Sequence, residues 1–253
     1  MIRGMYTAIS GLVSLEAKQA VITNNLTNIS TPGFKPDDLI ISQFDKVMMA
    51  NKDNGFSSFK NLGGMSIGSK IDSTRTKFDQ GSLKQTDKFT DFALIGDGFF
   101  TVIQGGQEYY TRDGSFVLDE IGNLKTSTGA SVMGVNLRNG NYEPINVGLA
   151  TNISVDGYNN LIVDNQAYYR IRISDFQDKQ TIEKVGNNLY KGDGVTEILT
   201  SKVRNNNIEV SEVDPAIEMV NLTNTLRSFE STMKILGYLD ESLRISANDI
   251  GKV

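Results

Sequence analysis

Residues 1–30 read MIRGMYTAISGLVSLEAKQAVITNNLTNIS, and within them Met1, Met5, Ala8, Leu12, Leu15, Gln19, Ile22, Leu26 and Ile29 step by alternating fours and threes. The other end of the chain repeats the device: Met219, Leu222, Leu226, Phe229, Met233, Leu236, Asp240, Leu243, Ala247 and Ile250 follow the same steps. That alternation keeps one seam of an α-helix facing a partner helix. Two such seams at the extremities, with strand-like sequence between them, predict an α+β chain. Its N- and C-terminal helices form a coiled-coil-like helical domain, and its centre is an all-β domain of short strands.

The first helix is predicted to end near Asn28 to Ser30, because Thr31-Pro32-Gly33 removes a backbone donor and adds a flexible turn. Roughly 28 residues at 1.5 Å each give a rod of about 42 Å. Ile2, Ile9, Val13, Ala17 and Val21 add apolar surface beside its seam, more than a two-helix contact needs, so burial against several neighbours is expected. The second helix is predicted to begin at Asp214, a favoured N-cap, with Pro215 at the first helical position and Glu218 where the helix dipole favours an acid. It runs to about Asn248 and stops before Gly251. Helices of this kind gain their stability from packing, so each is expected to depend on a partner.

Composition narrows the chemistry. The 253 residues contain no Cys, no His and no Trp, which removes disulfides, the usual zinc ligands and the common neutral-pH base. A formal charge of -5 with scattered basic residues argues against a nucleic-acid or anionic-lipid footprint. No apolar run is long enough for a membrane span. Arg3 and the uncharged stretch Gly4 to Leu15 have the outline of a secretory signal, but Tyr6, Thr7, Ser10 and Ser14 dilute it and the heptad phase runs on to Ile29. The stretch is read as helix.

Residues 36–73 are irregular: Leu39 to Met49 reads as a short helix or strand, and Asn51 to Gly68 is rich in Asn, Ser, Gly and Lys. A long extended or mobile connection is expected. Beyond Ile71 the period falls to two. Asp91 to Ile103, Glu108 to Thr111, Ser115 to Leu118, Leu124 to Thr126, Ile153 to Val155, Leu161 to Val163 and Tyr168 to Ile173 are predicted strand regions, separated by Gly96-Asp97-Gly98, Gly105-Gly106, Asp113-Gly114 and Asp156-Gly157. Residues 115–124 and 153–161 look alike, each a strand, an acidic turn and a strand. Shared turn chemistry explains them more simply than an internal repeat.

Catalytic patterns are weak. Gly64-Met65-Ser66-Ile67-Gly68 matches the nucleophile elbow G-x-S-x-G, yet no histidine exists to complete a triad. Ser57-Ser58-Phe59-Lys60 fits S-x-x-K without its companion elements. The Asx-rich segments around Asp119 and around Asp156 to Asp164 lack calcium-loop spacing. By contrast, Asn24-Asn25-Leu26-Thr27-Asn28 followed by Thr31-Pro32-Gly33-Phe34-Lys35 is a strong helix stop that redirects the chain.

Those residues, with Ser10-Gly11-Leu12 before them, resemble the N-terminal signature of the bacterial flagellar basal-body rod and hook proteins. The stretches 94–100 and 110–116 resemble that family's β-domain motif, and residues 218–222 with 227–230 resemble its C-terminal helix. Length favours a rod protein over a hook protein. The connection from Val47 to Gly68 resembles the distal rod type and residues 227–234 lean towards the proximal type, while Asp214-Pro215 departs from the distal pattern.

The resemblance implies an axial structural subunit, exported unfolded through the flagellar export apparatus without a cleaved signal. It then polymerises with other copies into a hollow helical tube that transmits torque, beside other rod and hook proteins, in the basal body outside the cytoplasmic membrane. No cofactor, metal, nucleic acid or membrane insertion is implied. Residues 1–35 with 208–253 would form the inner helical domain, 36–75 an extended connecting segment and 76–207 the outer β-rich domain. The expected assembly interface is Met5, Leu12, Leu15, Ile22, Leu26, Leu222, Leu226, Phe229, Met233 and Leu236. The family motif residues are Asn24, Asn25, Asn28, Pro32, Gly33 and Phe34. Two other classes share parts of the pattern: a soluble binding module closed as a coiled-coil dimer, and a Ser-Lys hydrolase.

Overall fold

The computed structural model describes residues 2–52, 59–148, 150, 152–163, 166–198 and 200–251. Met1 of the first seam, Ser57 and Ser58 of the Ser-Lys pattern and Asp164 lie outside these residues. The chain separates into two compact units, one of residues 1–27, 37–75 and 214–253, the other of residues 28–36 and 76–213.

The first unit holds α1 (Ile2–Thr27), β1 (Asp37–Gln43), β2 (Val47–Lys52), β3 (Phe59–Met65), β4 (Ser69–Thr76) and α2 (Pro215–Ile250). Helix α1 stops where Thr27 donates its hydroxyl to the Asn24 carbonyl at 2.9 Å, one turn before the Pro32-Gly33 break. Helix α2 starts as its cap dictates: the Asp214 carboxylate accepts from Ala216 N at 2.8 Å and Ile217 N at 3.3 Å, and Pro215 needs no donor partner at the first position. At 26 and 36 residues the helices are about 39 and 54 Å long, and they pack on one another.

The composition of residues 36–75 is misleading. In place of an irregular connection the structure has β1 paired with β4 and β2 paired with β3, two nested ribbons. Six consecutive residues of β4, Lys70 to Arg75, are exposed, so its sequence carries no inside–outside alternation from which a strand could be read.

The second unit is all β. Its strands are β5 (Leu83–Gln85), β6 (Phe92–Ile95), β7 (Phe99–Gln104), β8 (Gln107–Thr111), β9 (Phe116–Leu118), β10 (Leu124–Thr126), β11 (Ser131–Asn136), β12 (Tyr142–Pro144), β13 (Ile153–Val155) and β14 (Asn160–Val163). They continue as β15 (Gln166–Ile171), β16 (Ile173–Phe176), β17 (Glu183–Gly186), β18 (Leu189–Lys191), β19 (Val195–Glu197), β20 (Lys202–Asn205) and β21 (Asn207–Glu209). The main sheet runs β13-β14-β15-β11-β7-β8-β18-β17, all its pairings antiparallel. Strand β11 is its hub, bonded to β7, β10, β12 and β15, and β7 is bonded to β8, β11 and β16. Phe92, Leu94, Phe100, Phe116, Leu124, Val132, Ile153 and Leu161 form the buried centre. A smaller aromatic cluster of Phe99, Tyr110, Phe176 and Tyr190 adjoins Phe78, with Tyr110 and Phe176 edge to face at 4.9 Å.

The two similar hairpins share one turn. In the β9–β10 hairpin the Asp119 carboxylate accepts from Ile121 N, Asn123 N and Asn123 Nδ2 at 3.0, 2.7 and 3.0 Å. In the β13–β14 hairpin Asp156 accepts from Tyr158 N, Asn160 N and Asn160 Nδ2, each at 2.8 Å. An Asp-x-x-x-Asn frame is thus built twice, as Asx turn chemistry predicts.

Candidate functional site

Thr31-Pro32-Gly33-Phe34-Lys35 does more than end a helix. Within the β unit it closes over a buried ion cluster. Lys35 Nζ lies 2.6 Å from Glu209 Oε1 and also donates to the Asp79 carbonyl. The Arg112 guanidinium meets the other carboxylate oxygen at 3.4 Å and donates to Gly96 O at 2.9 Å. Gly81 N adds a 2.9 Å bond to Glu209 Oε1. The Lys35 and Glu209 side chains are essentially sealed from solvent and Arg112 is 3% exposed. A buried acid between two cations is tolerated only because its oxygens are this well supplied with donors.

Backbone contacts fasten the same segment. Gly33 N donates to Glu209 O at 2.8 Å and Glu212 N to Phe34 O at 3.4 Å. Phe34 is buried, with Lys184 Nζ 4.6 Å from its ring centroid and donating to Lys35 O at 2.6 Å. Asn188 Nδ2 holds Pro32 O at 2.9 Å. Gly33 has a φ of +66°, and a Cβ there would run into the Arg112 carbonyl and the Asp113 amide, so only glycine fits. Glu212 sits 3.9 Å from Lys35; burial pushes its carboxyl up, against the pull of Lys35. The stretches 31–35, 94–100 and 110–116, far apart in sequence, therefore meet at one clasp. Glu209 completes it, and sequence reading missed this residue. Its one signal is an acid set between Ile208 and Val210.

Asn25 has an equivalent place in the helical unit. It is 1% exposed in the last turn of α1. Its amide donates to Asp37 O at 3.0 Å and Glu218 Oε1 at 3.2 Å, and its carbonyl accepts from Asp37 N at 3.1 Å. One side chain thus ties α1 to β1 and α2. Asn28 holds the turn below it, its Oδ1 accepting from the Thr31 hydroxyl at 3.1 Å. Ser10 seats the start of β4: its Oγ accepts from Ser69 N at 3.3 Å, and the Ser14 and Ser69 hydroxyls bond at 3.0 Å.

The two seams are covered unequally. On α1, Leu12 and Ile22 are buried and Met5, Leu15 and Leu26 half-buried, while Ile2, Tyr6, Ile9 and Val13 face solvent. On α2, Leu222, Phe229, Leu236 and Leu243 are half-buried, but the alternate members Met219, Leu226 and Met233 are exposed. The covered stripe there runs through Thr225, Thr232, Leu239 and Ser246 in their place. Polar Thr and Ser hid that phase from a reading based on apolar spacing. Asn24 and Phe229 line an open groove of about 670 Å³ on the helical unit, with Glu16, Gln19, Ala20, Thr23 and Thr27. Ser66, the would-be nucleophile, has carbonyls for partners: Gly68 O at 3.3 Å and Phe44 O at 3.5 Å.

The clasp and the half-covered helices describe a structural subunit, and sequence comparison gives its class. Three family models match in order: "Flagella basal body rod protein" over residues 5–35, "Flagellar hook protein FlgE/F/G D1 domain" over 93–186 and "Flagellar basal body rod FlgEFG protein C-terminal" over 204–250. The chain is 31% identical to the flagellar basal-body rod protein FlgG of Borreliella burgdorferi, with 98% of each chain covered. It is 30% identical to FlgG of Bacillus subtilis over 98% of this chain and 99% of that one, and 30% identical to FlgF of Caulobacter vibrioides over the whole of both. The chain belongs to the flagellar basal-body rod proteins. It is a structural axial subunit of the rod, at the flagellar basal body, associated with other rod and hook proteins. The relatives are rod proteins by name, not enzymes.

Proposed function

We propose that the chain polymerises with copies of itself into a hollow helical tube that carries torque. The terminal helices form its coiled-coil-like inner layer, and each subunit is exported unfolded through the flagellar export apparatus. The supporting observation is the apolar surface left open on both helices: Ile2, Tyr6, Ile9 and Val13 on α1, and Met219, Val220, Leu226, Met233, Ile235 and Tyr238 on α2. Each such side chain contributes about 1.5–3 kcal/mol when fully buried, so a handful shared between neighbours drives assembly. Met5, Leu12, Leu15, Ile22, Leu26, Leu222, Phe229 and Leu236 would brace each subunit, while Leu226 and Met233 would reach the next.

The same reading makes the chain non-catalytic, with Ser66 a loop residue. Sedimentation against concentration tests the proposal. A heterologous contact that does not close grows into filaments as concentration rises, whereas a coiled-coil dimer stops at two. A species fixed at two copies would overturn the tube.

A further inference from the structure

Helices α1 and α2 run antiparallel in a register that two contacts fix. Asn25 Nδ2 reaches Glu218 Oε1 at 3.2 Å near one end, and a Cβ built on Gly4 would lie 3.7 Å from Leu239 Cδ1 near the other. The two contacts stand 21 residues apart on each helix. Carried outward, that register sets Thr27 level with Ala216, one residue inside the start of α2, so this end of the pair is blunt. At the other end Ile2 stands level with Glu241, yet α2 runs on to Ile250. Residues 242–250 therefore overhang by about 14 Å, and no described residue of α1 lies beside them. Ile245 is 48% exposed there. Arg244 clasps Glu241 through Nε and Nη2 at 2.8 and 2.6 Å, which leaves Nη1 open.

The blunt half of the pair carries the complementary feature. Its open groove of about 670 Å³ is lined by Ala20, Thr23 and Thr27 of α1 and Phe229 of α2, together with Glu16. The Glu16 carboxylate is exposed and has no partner among the described residues. We propose that the α2 overhang of a second copy lies in this groove, with Ile245 against Ala20 and Phe229 and with Arg244 Nη1 on Glu16. The contact rests on the polymer proposed above and names how its copies join end to end. The overhang suits the groove because it can enter without bringing its own α1 along, and small side chains let a helix come close. Within one copy the two features cannot meet: Ala20 stands level with Thr223, and Ile245 lies 22 residues further on, about 33 Å away. The contact is heterologous, so each added copy offers a free overhang or a free groove to the next.

The chain has no cysteine, so single-cysteine variants of the full chain report contacts without background. Ala20→Cys and Ile245→Cys proteins, mixed, assembled and oxidised, should give the mixed disulfide pair in clear excess over either self-pair, since the bond needs Cα atoms within about 7 Å. Glu16→Arg in the first protein should lower that yield about 2–5-fold, as loss of an exposed ion pair implies, and Arg244→Glu in the second should restore it. All four positions are exposed, so the substitutions disturb little within a copy. Sedimentation of the same samples separates this contact from the polymer itself. Filaments without the mixed pair would overturn the contact and leave the polymer standing, as would self-pairs as abundant as mixed ones. Mixed pairs in a particle that stops at two copies would uphold the contact and overturn the tube. Neither filaments nor mixed pairs would overturn both.

Discussion

Glu209 shows what a single residue does here. Its two oxygens hold the redirecting segment after α1 against Arg112 from the β motif, and among the described residues neither cation has another acidic partner as close. Glu209→Gln keeps the shape and removes the charge, leaving Arg112 buried without its acid and Lys35 with Glu212 at 3.9 Å. It should cost about 3–5 kcal/mol, read as an earlier denaturant midpoint. Acid should act elsewhere. Asp119 is held well below the usual carboxylate range, first by Lys125 and then by the Asn123 side chain and amide. Burial of Asp156 works the other way, yet the Asn160 amide and side chain prevail and lower it too. A lowered folded value gives stabilisation that is present above about pH 4 and disappears as pH falls further. Both hairpin tips should therefore loosen together below pH 4, seen as faster exchange of the Asn123 and Asn160 amides. Motif residues such as Gly33 and Lys35 were legible as a group because they lie side by side in the chain. Glu209 was not, since its partners are 97 and 174 positions away.

At the level of elements, the local signals are the ones that sequence conveys. Asp214-Pro215 places the start of α2 because a cap and a fixed φ act within four residues. Asp214→Ala should fray the first turn and cost about 1 kcal/mol, measured as lost helicity and a lower midpoint for the helical unit. Strands β6 to β10 and β13 to β15 are marked by β-branched and aromatic runs between turn formers, whereas β11, β12 and β17 to β19 were not read as strands. Strands β5, β20 and β21 escaped because they are short and polar, and because β20 pairs with β6 and β21 with β5 across more than a hundred residues. In the ribbons of 37–76, Leu39 to Met49 was legible as a short helix or strand, while β4 escaped for another reason: a two-stranded ribbon exposed along most of β4 needs no apolar face. The seam of α2 was legible in period but not in phase, since Thr225, Thr232 and Ser246 share the covered stripe with leucines.

On the scale of the whole molecule, the helices are apolar over more of their circumference than one partner can cover. That was readable in the breadth of the first stripe, and it is the feature on which the proposed polymer rests. Leu226 is the sharpest probe, because it is 39% exposed and an acid there disturbs little within the subunit. Leu226→Asp should leave the β unit folded by circular dichroism and abolish filament growth. The most direct measurement is electron microscopy of the assembled protein. The expected result is a hollow helical tube whose inner layer is α1 and α2, with Ile2, Tyr6, Ile9, Leu226 and Met233 buried between copies. A closed dimer, or a filament in which those side chains still face solvent, would contradict it.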